Sequence, residues 1–211
     1  FMGWYMVKSG LVSETDVSHL RLAAHLSLAI IIYGMIFWAL LNNQKLNFKI
    51  KLNKSTILMI IMTLLIFLQI IWGAFTSGLN AGLLYQTWPL MNEKFIADDI
   101  IFTKILTTSV LNNPSYVQLT HRFLAYLIIF YCVVIYFVHF KKSNLKLPFK
   151  YIFLALVLQV ILGILTLISG LNIYLASFHQ MGSILLISSA IYGLFYVNHN
   201  QNLIDSSVYK Q

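Results

Sequence analysis

Five stretches of roughly twenty apolar residues dominate this chain, and very few folds accommodate such runs. They cover residues 20–41, 57–79, 117–138, 151–171 and 175–197. As a helix, each is long enough to cross a hydrocarbon layer about 30 Å thick. Inside lipid every backbone N–H and C=O must find its partner within the chain, so each run is predicted to be helical. A membrane barrel would instead show short alternating segments, and the sequence contains none. Composition agrees: 211 residues, 59% hydrophobic and 9% charged, with a mean hydropathy of +0.80. That is too little charge to solvate a globular surface, so the expected class is an all-α integral membrane protein.

The connecting segments set an orientation. Residues 42–56 carry Lys45, Lys49, Lys51 and Lys54, and residues 139–150 carry Lys141, Lys142, Lys146 and Lys150, with no acid in either. Alternation puts both segments on one side, and the positive-inside rule makes that side cytoplasmic or matrix-facing. The longer segment 80–116 mixes Lys94 and Lys104 with Glu93, Asp98 and Asp99, and the link around Leu171–Tyr174 is uncharged; both are expected outside. The N-terminus then lies outside and the C-terminus inside. The net charge of +8 is read as this loop bias rather than as a nucleic-acid footprint. A single cysteine, Cys132, excludes a disulfide within the chain, and its apolar surroundings predict an inert thiol.

Against this background the ionisable residues inside the runs stand out. His25, His121 and His179 each fall near the start of a run that proceeds from outside to inside, about 6–9 Å below the surface at the helical rise. Ionisable residues at that depth are rare and suggest function. Small residues accompany them: Ala24 and Ala29 near His25, Ala125 near His121, Gly182 and Ser183 near His179. They leave room beside the imidazole for a flat macrocycle, and neutral imidazole is a common axial ligand of heme iron. A single histidine is better explained by a hydrogen bond between helices; two at one depth on parallel runs favour the ligand reading. Arg122 adjoins His121, and Arg21 lies one turn before His25. Either could bind a heme propionate or serve as an interfacial anchor. His19, His139 and His199 sit at run ends or in the tail and are read as interfacial or solvated.

The chain also echoes itself. "LQIIWGAFTSGLN" in the second run matches "LQVILGILTLISGLN" in the fourth: Gln69 with Gln159, Gly73 with Gly163, Thr76 with Thr166. Each of these runs precedes a histidine-bearing one, which implies pseudo-symmetric placement of His121 and His179 about one site. The glutamines could face a polar group there or hydrogen-bond between helices.

Four segments, "GWYMVKSGL…RLAAHL" (3–26), "GAFTSGLNAGLLYQTWPLM" (73–91), "VQLTHRFLAY" (117–126) and "LASFHQMGS" (175–183), resemble the heme A synthase family, in the form found in mitochondria and related bacteria. The resemblance extends over nearly the whole chain in order and spacing, and the "GLNAGLLYQTWP" loop is its most specific part. It implies eight membrane helices in two similar halves, and oxidation of a ring methyl of heme O to the formyl group of heme A, which supplies cytochrome oxidase. By motif, His121 and His179 match the axial pair of a b-type heme in the second half, with Arg122 beside it. His25, with Arg21, matches a histidine of the first, substrate-handling half. The implied domains are 1–56, the last helix of an incomplete first half with its loop, and 57–211, a four-helix heme b-binding half.

The resemblance implies that three earlier spans and the partner of His25 precede this segment, which agrees with an opening, "FMGWYMVKSG", that has no initiator methionine, a start that processing or truncation would explain. Asn80, Gln86 and Thr120 depart from the family's usual aspartate, asparagine and acid, and no outer cysteine pair is present. The resemblance further implies heme O as substrate, contact with a heme O synthase and with oxidase assembly, and a lipid bilayer, with a homo-oligomer left open and no nucleic acid. The membrane would be a bacterial inner membrane, or a mitochondrial inner membrane in a eukaryote. A methyl C–H is a poor acid, so its oxidation needs iron redox chemistry, whereas a bis-histidine heme has no open position for oxygen. The His121/His179 heme is therefore assigned to electron transfer or structure, and this segment alone is expected to bind heme without catalysis. Tyr85 and Trp88 are read either as covering the heme edge or as interfacial aromatics. The alternative from another class is a bis-histidine b-type electron-transfer protein. A heme-free transporter is disfavoured, since the five runs contain no acidic residue.

Overall fold

In a computed structural model, residues 1, 3–5, 8, 17–43, 50–101, 108–140 and 146–199 are described. Five helices long and apolar enough to cross a membrane account for most of them: α1 (His19–Leu41), α2 (Lys54–Gly78), α3 (Pro114–Ile135), α4 (Lys146–Ile168) and α5 (Ile173–His199). There are no strands among the described residues. The expected all-α, multi-pass membrane class holds.

Helix starts lie outside the apolar boundaries, because polar caps rather than apolar residues set them. The Asn53 side chain accepts a hydrogen bond from the Thr56 N–H and starts α2 at Lys54. Asn113 accepts from the N–H groups of Ser115 and Tyr116, with Pro114 in the first turn, where its missing N–H costs nothing. Asn172 caps α5 through the N–H groups of Tyr174 and Leu175. α4 starts at Lys146 rather than 151 and tolerates Pro148 for the same first-turn reason. Beyond α3 the chain continues as a π-helical turn, Tyr136–Phe140. The side chain of His139, and Lys45, Lys49, Lys104, Lys141 and Lys142, lie outside the described residues.

α2 packs against α1, α3 and α5, and α5 against α1, α2 and α4, while α3 meets α4 only lightly. The helices α2, α3, α4 and α5 thus follow one another around a circuit in which α3 and α5 occupy opposite corners. Neither α3 with α5 nor α2 with α4 is a closely packed pair among the described residues. α1 lies outside the circuit against α2 and α5.

The two ends of this circuit differ. One apolar core joins Met59, Met62 and Ile66 of α2, Ile128 and Cys132 of α3, Phe149 and Ile152 of α4, and Leu186 to Val197 of α5. On α5 every buried residue comes at Gly182 or later, and on α4 the only buried residues beyond Leu156 are Gln159 and Thr166. The apolar core therefore gives out toward the end where α3 and α5 begin, hereafter the histidine end. A short 3-10 turn, Ala81–Leu83, folds over that end: a Cβ on Gly82 would come within 2.8 Å of Leu171 in the α4–α5 link. That link turns through Gly170 and Leu171, both with positive φ.

Ile66 is fully buried where α2 meets the rest of the core. In lipid the water-transfer part of a truncation largely cancels and the packing part remains, so Ile66→Ala is expected to cost about 2 kcal/mol. Reversible unfolding in mixed detergent micelles checks this.

Candidate functional site

The three histidines come together at one level. His25 lies six residues into α1 from His19, His121 seven into α3 from Pro114, and His179 six into α5 from Ile173. At the helical rise this is about 9–10 Å from each helix start. All three are half-buried. His121 and His179 stand on opposite corners of the circuit.

Each of these imidazoles has its Cε1 edge against a bare glycine backbone. A Cβ added to Gly3 would lie 3.4 Å from Cε1 of His25, one on Gly73 3.4 Å from Cε1 of His121, and one on Gly163 3.0 Å from Cε1 of His179. The internal repeat thus becomes spatial. The Gln69 amide donates to the His121 backbone carbonyl at 3.1 Å, and the Gln159 amide to the His179 carbonyl at 3.0 Å. The repeated threonines also behave alike, Thr76 and Thr166 each bonding the carbonyl four residues back. The glutamines therefore hydrogen-bond between helices, and the carbonyls they hold are those of the two histidines. The Gln69 amide nitrogen also lies 3.3 Å from His121 Nε2. With the ring proton on Nδ1, Nε2 accepts from this amide through the lone pair that a metal would take, so Gln69 would have to give up the contact to a bound metal.

The unpartnered buried polar atoms mark the same region. Eight such side-chain atoms occur among the described residues, all on residues 19–25, 69–72, 118–122 and 179. They include Nδ1 of His25, His121 and His179, and the Trp72 indole nitrogen. Bare polar atoms are costly in hydrocarbon, so their confinement to the histidine end suggests a polar occupant. No group of three or more His, Cys, Asp or Glu is placed to hold a metal ion among the described residues. Two histidines complete a coordination sphere only if a macrocycle supplies the other ligands, as in heme. The residues fit that group: imidazoles on opposite corners of the circuit, glycines beside their edges, and ends of α4 and α5 that bury few apolar side chains.

Arg122 is placed differently from a free anion binder. Its two terminal nitrogens donate to the carbonyls of Leu90 (3.0 Å) and Tyr85 (2.9 Å), while its Nε is buried without a partner. Gln118, one turn earlier and buried, is a second donor to the Tyr85 carbonyl at 2.9 Å. Together they hold the 85–90 loop over the histidine end. The loop is further tied by the Tyr85 hydroxyl on Asp99, whose other oxygen accepts from Ser115. Burial, with Asp99 beside it, holds the Tyr85 phenol above its usual pKa of 10.0. Trp88 in this loop is exposed. Arg21 stacks over the Tyr5 ring at 5.9 Å, so residues 3–5 and the start of α1 meet around His25. His19 packs edge-on to Phe75, where α1 presses onto Gly78 of α2. Cys132 is buried in the core. Gln118 and Trp72 were not singled out from the sequence; a glutamine one turn before Arg122 was the only signal for the first, and none existed for the second.

The family model described as "Cytochrome oxidase assembly protein", COX15-CtaA, matches residues 1–191. The chain is 46% identical over 204 residues to the heme A synthase of Pelagibacter ubique, covering 95% of this chain and 59% of that protein. It is 40% identical over 201 residues to that of Wolbachia pipientis wMel (93% and 56%) and 36% identical over 207 residues to that of Rickettsia felis (93% and 60%). The chain thus spans less than two thirds of the length of these curated relatives. No solved structure matches.

Replacing Arg122 by Gln removes two charge-assisted bonds to the loop. Amide exchange across residues 85–94 is expected to quicken by about tenfold or more, at 1.5–3 kcal/mol per bond to a charged group, with α3 itself unchanged. Hydrogen-exchange mass spectrometry reads this directly. Tyr85 gives a pH test with a definite sign. Its raised pKa means the fold favours the neutral phenol, so its contribution is intact below pH 10.0 and lost above it. Ultraviolet titration should place the Tyr85 transition above that of free tyrosine.

Proposed function

The chain belongs to the COX15-CtaA family of cytochrome oxidase assembly proteins, and from that premise we propose that it is the part of a heme A synthase that grips a heme b between His121 and His179. The whole protein would be an oxidoreductase that converts a methyl group of heme O to the formyl group of heme A for cytochrome oxidase. The observation that carries this reading is the matched pair of holds, Gln69–Gly73 on His121 and Gln159–Gly163 on His179, on opposite corners of one helix circuit.

Bound to two imidazoles, a heme b supplies one-electron redox chemistry. The protein's own part is to hold and enclose. With its proton on Nδ1, His121 would give its Nε2 lone pair to the iron in place of the Gln69 amide 3.3 Å away. Gln69 and Gln159 fix the backbone carbonyls of the two histidines, which limits how far each imidazole can swing. Arg122 and Gln118 keep the 85–90 loop over the site and so restrict water. The buried Nε of Arg122 is the atom left to meet a propionate.

His25 and Arg21, on α1 outside the circuit, belong to the substrate heme O. The division that follows is 1–56, the last helix of a first half with its loop, and 57–211, a four-helix half around heme b. The relatives' bacterial sources support the plasma membrane as the location. The lysines of residues 42–56 and 139–150 support a cytoplasmic C-terminus. Heme O synthase and the oxidase assembly machinery are the expected partners.

Optical spectra of the purified protein, oxidised and dithionite-reduced, test the assignment. A low-spin b-type spectrum is expected for wild type and for His25→Ala, and its loss for His121→Ala and for His179→Ala. Retention in either of the last two would exclude that residue as a ligand.

A further inference from the structure

The two histidine holds share a plan but not a tightness. On the His179 side three residues act together. The Gln159 amide donates to the His179 carbonyl. Gly182, one turn further along α5, leaves the slot in which that amide lies, and a Cβ there would run into the amide nitrogen. Gly163, one turn along α4 from Gln159, faces the ring itself. A Cβ at this position would lie 3.0 Å from Cε1, 3.5 Å from Nδ1 and 3.6 Å from Nε2 of His179, so the imidazole edge rests on bare backbone.

On the His121 side the glycine contact is looser, while the Gln69 amide reaches the ring itself. A Cβ at Gly73 would meet only Cε1, at 3.4 Å, an ordinary contact distance. The residue three after His121, corresponding to Gly182, is Leu124, which is buried in the apolar core. Gln69 reaches the carbonyl and also the ring nitrogen of His121, whereas for Gln159 the carbonyl is its hydrogen-bond partner.

We propose that Gly163, Gln159 and Gly182 are positioning residues that lock the plane of the His179 imidazole. The proposal rests on the reading of His121 and His179 as the axial pair. Its physical basis is that a ring pressed against backbone cannot turn without moving a helix. Outer-sphere contacts of this kind set ligand orientation and tune the metal. The relative angle of two axial imidazole planes governs the g-values of low-spin ferric heme, so the lock has a spectroscopic readout independent of catalysis.

The experiment is low-temperature EPR of the whole, heme-loaded ferric protein. Gly163→Ala is expected to shift the largest g-value and to weaken heme affinity by about tenfold, as outer-shell changes do. Gly182→Ala and Gln159→Leu should shift the g-value in the same way, and Gly34→Ala, whose added methyl would meet only Ile191 of α5, should leave the wild-type signal. A wild-type signal in Gly163→Ala, or an equal shift in Gly34→Ala, overturns the proposal. Should Gly163→Ala fail to assemble, Gln159→Leu decides, since it adds no atom beside the ring: a shifted signal supports the lock and an unshifted one overturns it. Loss of the low-spin signal in His179→Ala is the control for the underlying assignment. If that variant keeps its signal, the axial reading itself fails, which is a different result from an unshifted Gly163→Ala.

Discussion

A polar atom left bare in hydrocarbon costs several kcal/mol, and this chain meets that cost in two distinct ways. Through most of the helices it is avoided. The hydroxyls of Ser27, Thr63, Thr76, Thr120, Thr166 and Ser188 each bond back to the carbonyl four residues earlier on the same helix. Tyr33 reaches Ser188 on the neighbouring helix, and Tyr131 reaches the Leu58 carbonyl. At the histidine end, by contrast, eight buried polar atoms remain without partners among the described residues. A chain that economises on bare polarity elsewhere and concentrates it at one level has a reason for that level, and a ligand that supplies the missing contacts is the simplest one.

The same division explains the packing. From Met59 to Ile66 on α2 and from Leu186 to Val197 on α5, large aliphatic side chains fill the circuit and hold the helices in register. A methyl on Gly193 would collide with Met59 and Ile152, which shows how closely that end is filled. Toward the histidine end the buried residues of α4 and α5 become glutamine, threonine and glycine. One end supplies rigidity and the other supplies room, and a site needs both, since an imidazole is only as well placed as the helix beneath it.

Much of this was legible in the sequence, for reasons that differ residue by residue. The five helices could be read because lipid leaves a long apolar run no other structure. Their starts fall a few residues ahead of the apolar windows, because the capping residues Asn53, Asn113 and Asn172 are polar, although an asparagine ahead of an apolar run is a start signal. His25, His121 and His179 could be placed at one depth from span order alone. The partners of the two glutamines could not, because Gln69 and His121 are 52 residues apart and a repeat shows only that two positions are alike. Whether a glutamine faces a cavity or a neighbouring helix is decided by rotation about the helix axis, and flat apolar runs carry little information about that rotation.

Arg122 shows why position in sequence does not settle a charged residue's task. Beside a histidine and near the interface, it had two readings, a propionate partner or an anchor. The fold uses its planar fork on two carbonyls five residues apart in one loop, a geometry suited to a guanidinium and not to an ammonium. Because His121 and Arg122 are adjacent on α3, the loop and the imidazole are carried by the same turn of helix. A displacement of α3 would therefore move the cover and the ligand together, so access from the histidine end is coupled to the position of His121. His179 has no such tie: no hydrogen bond among the described residues joins its turn of α5 to the loop, and its hold comes from α4. The site is thus built from one wall that moves with its cover and one that is fixed from behind.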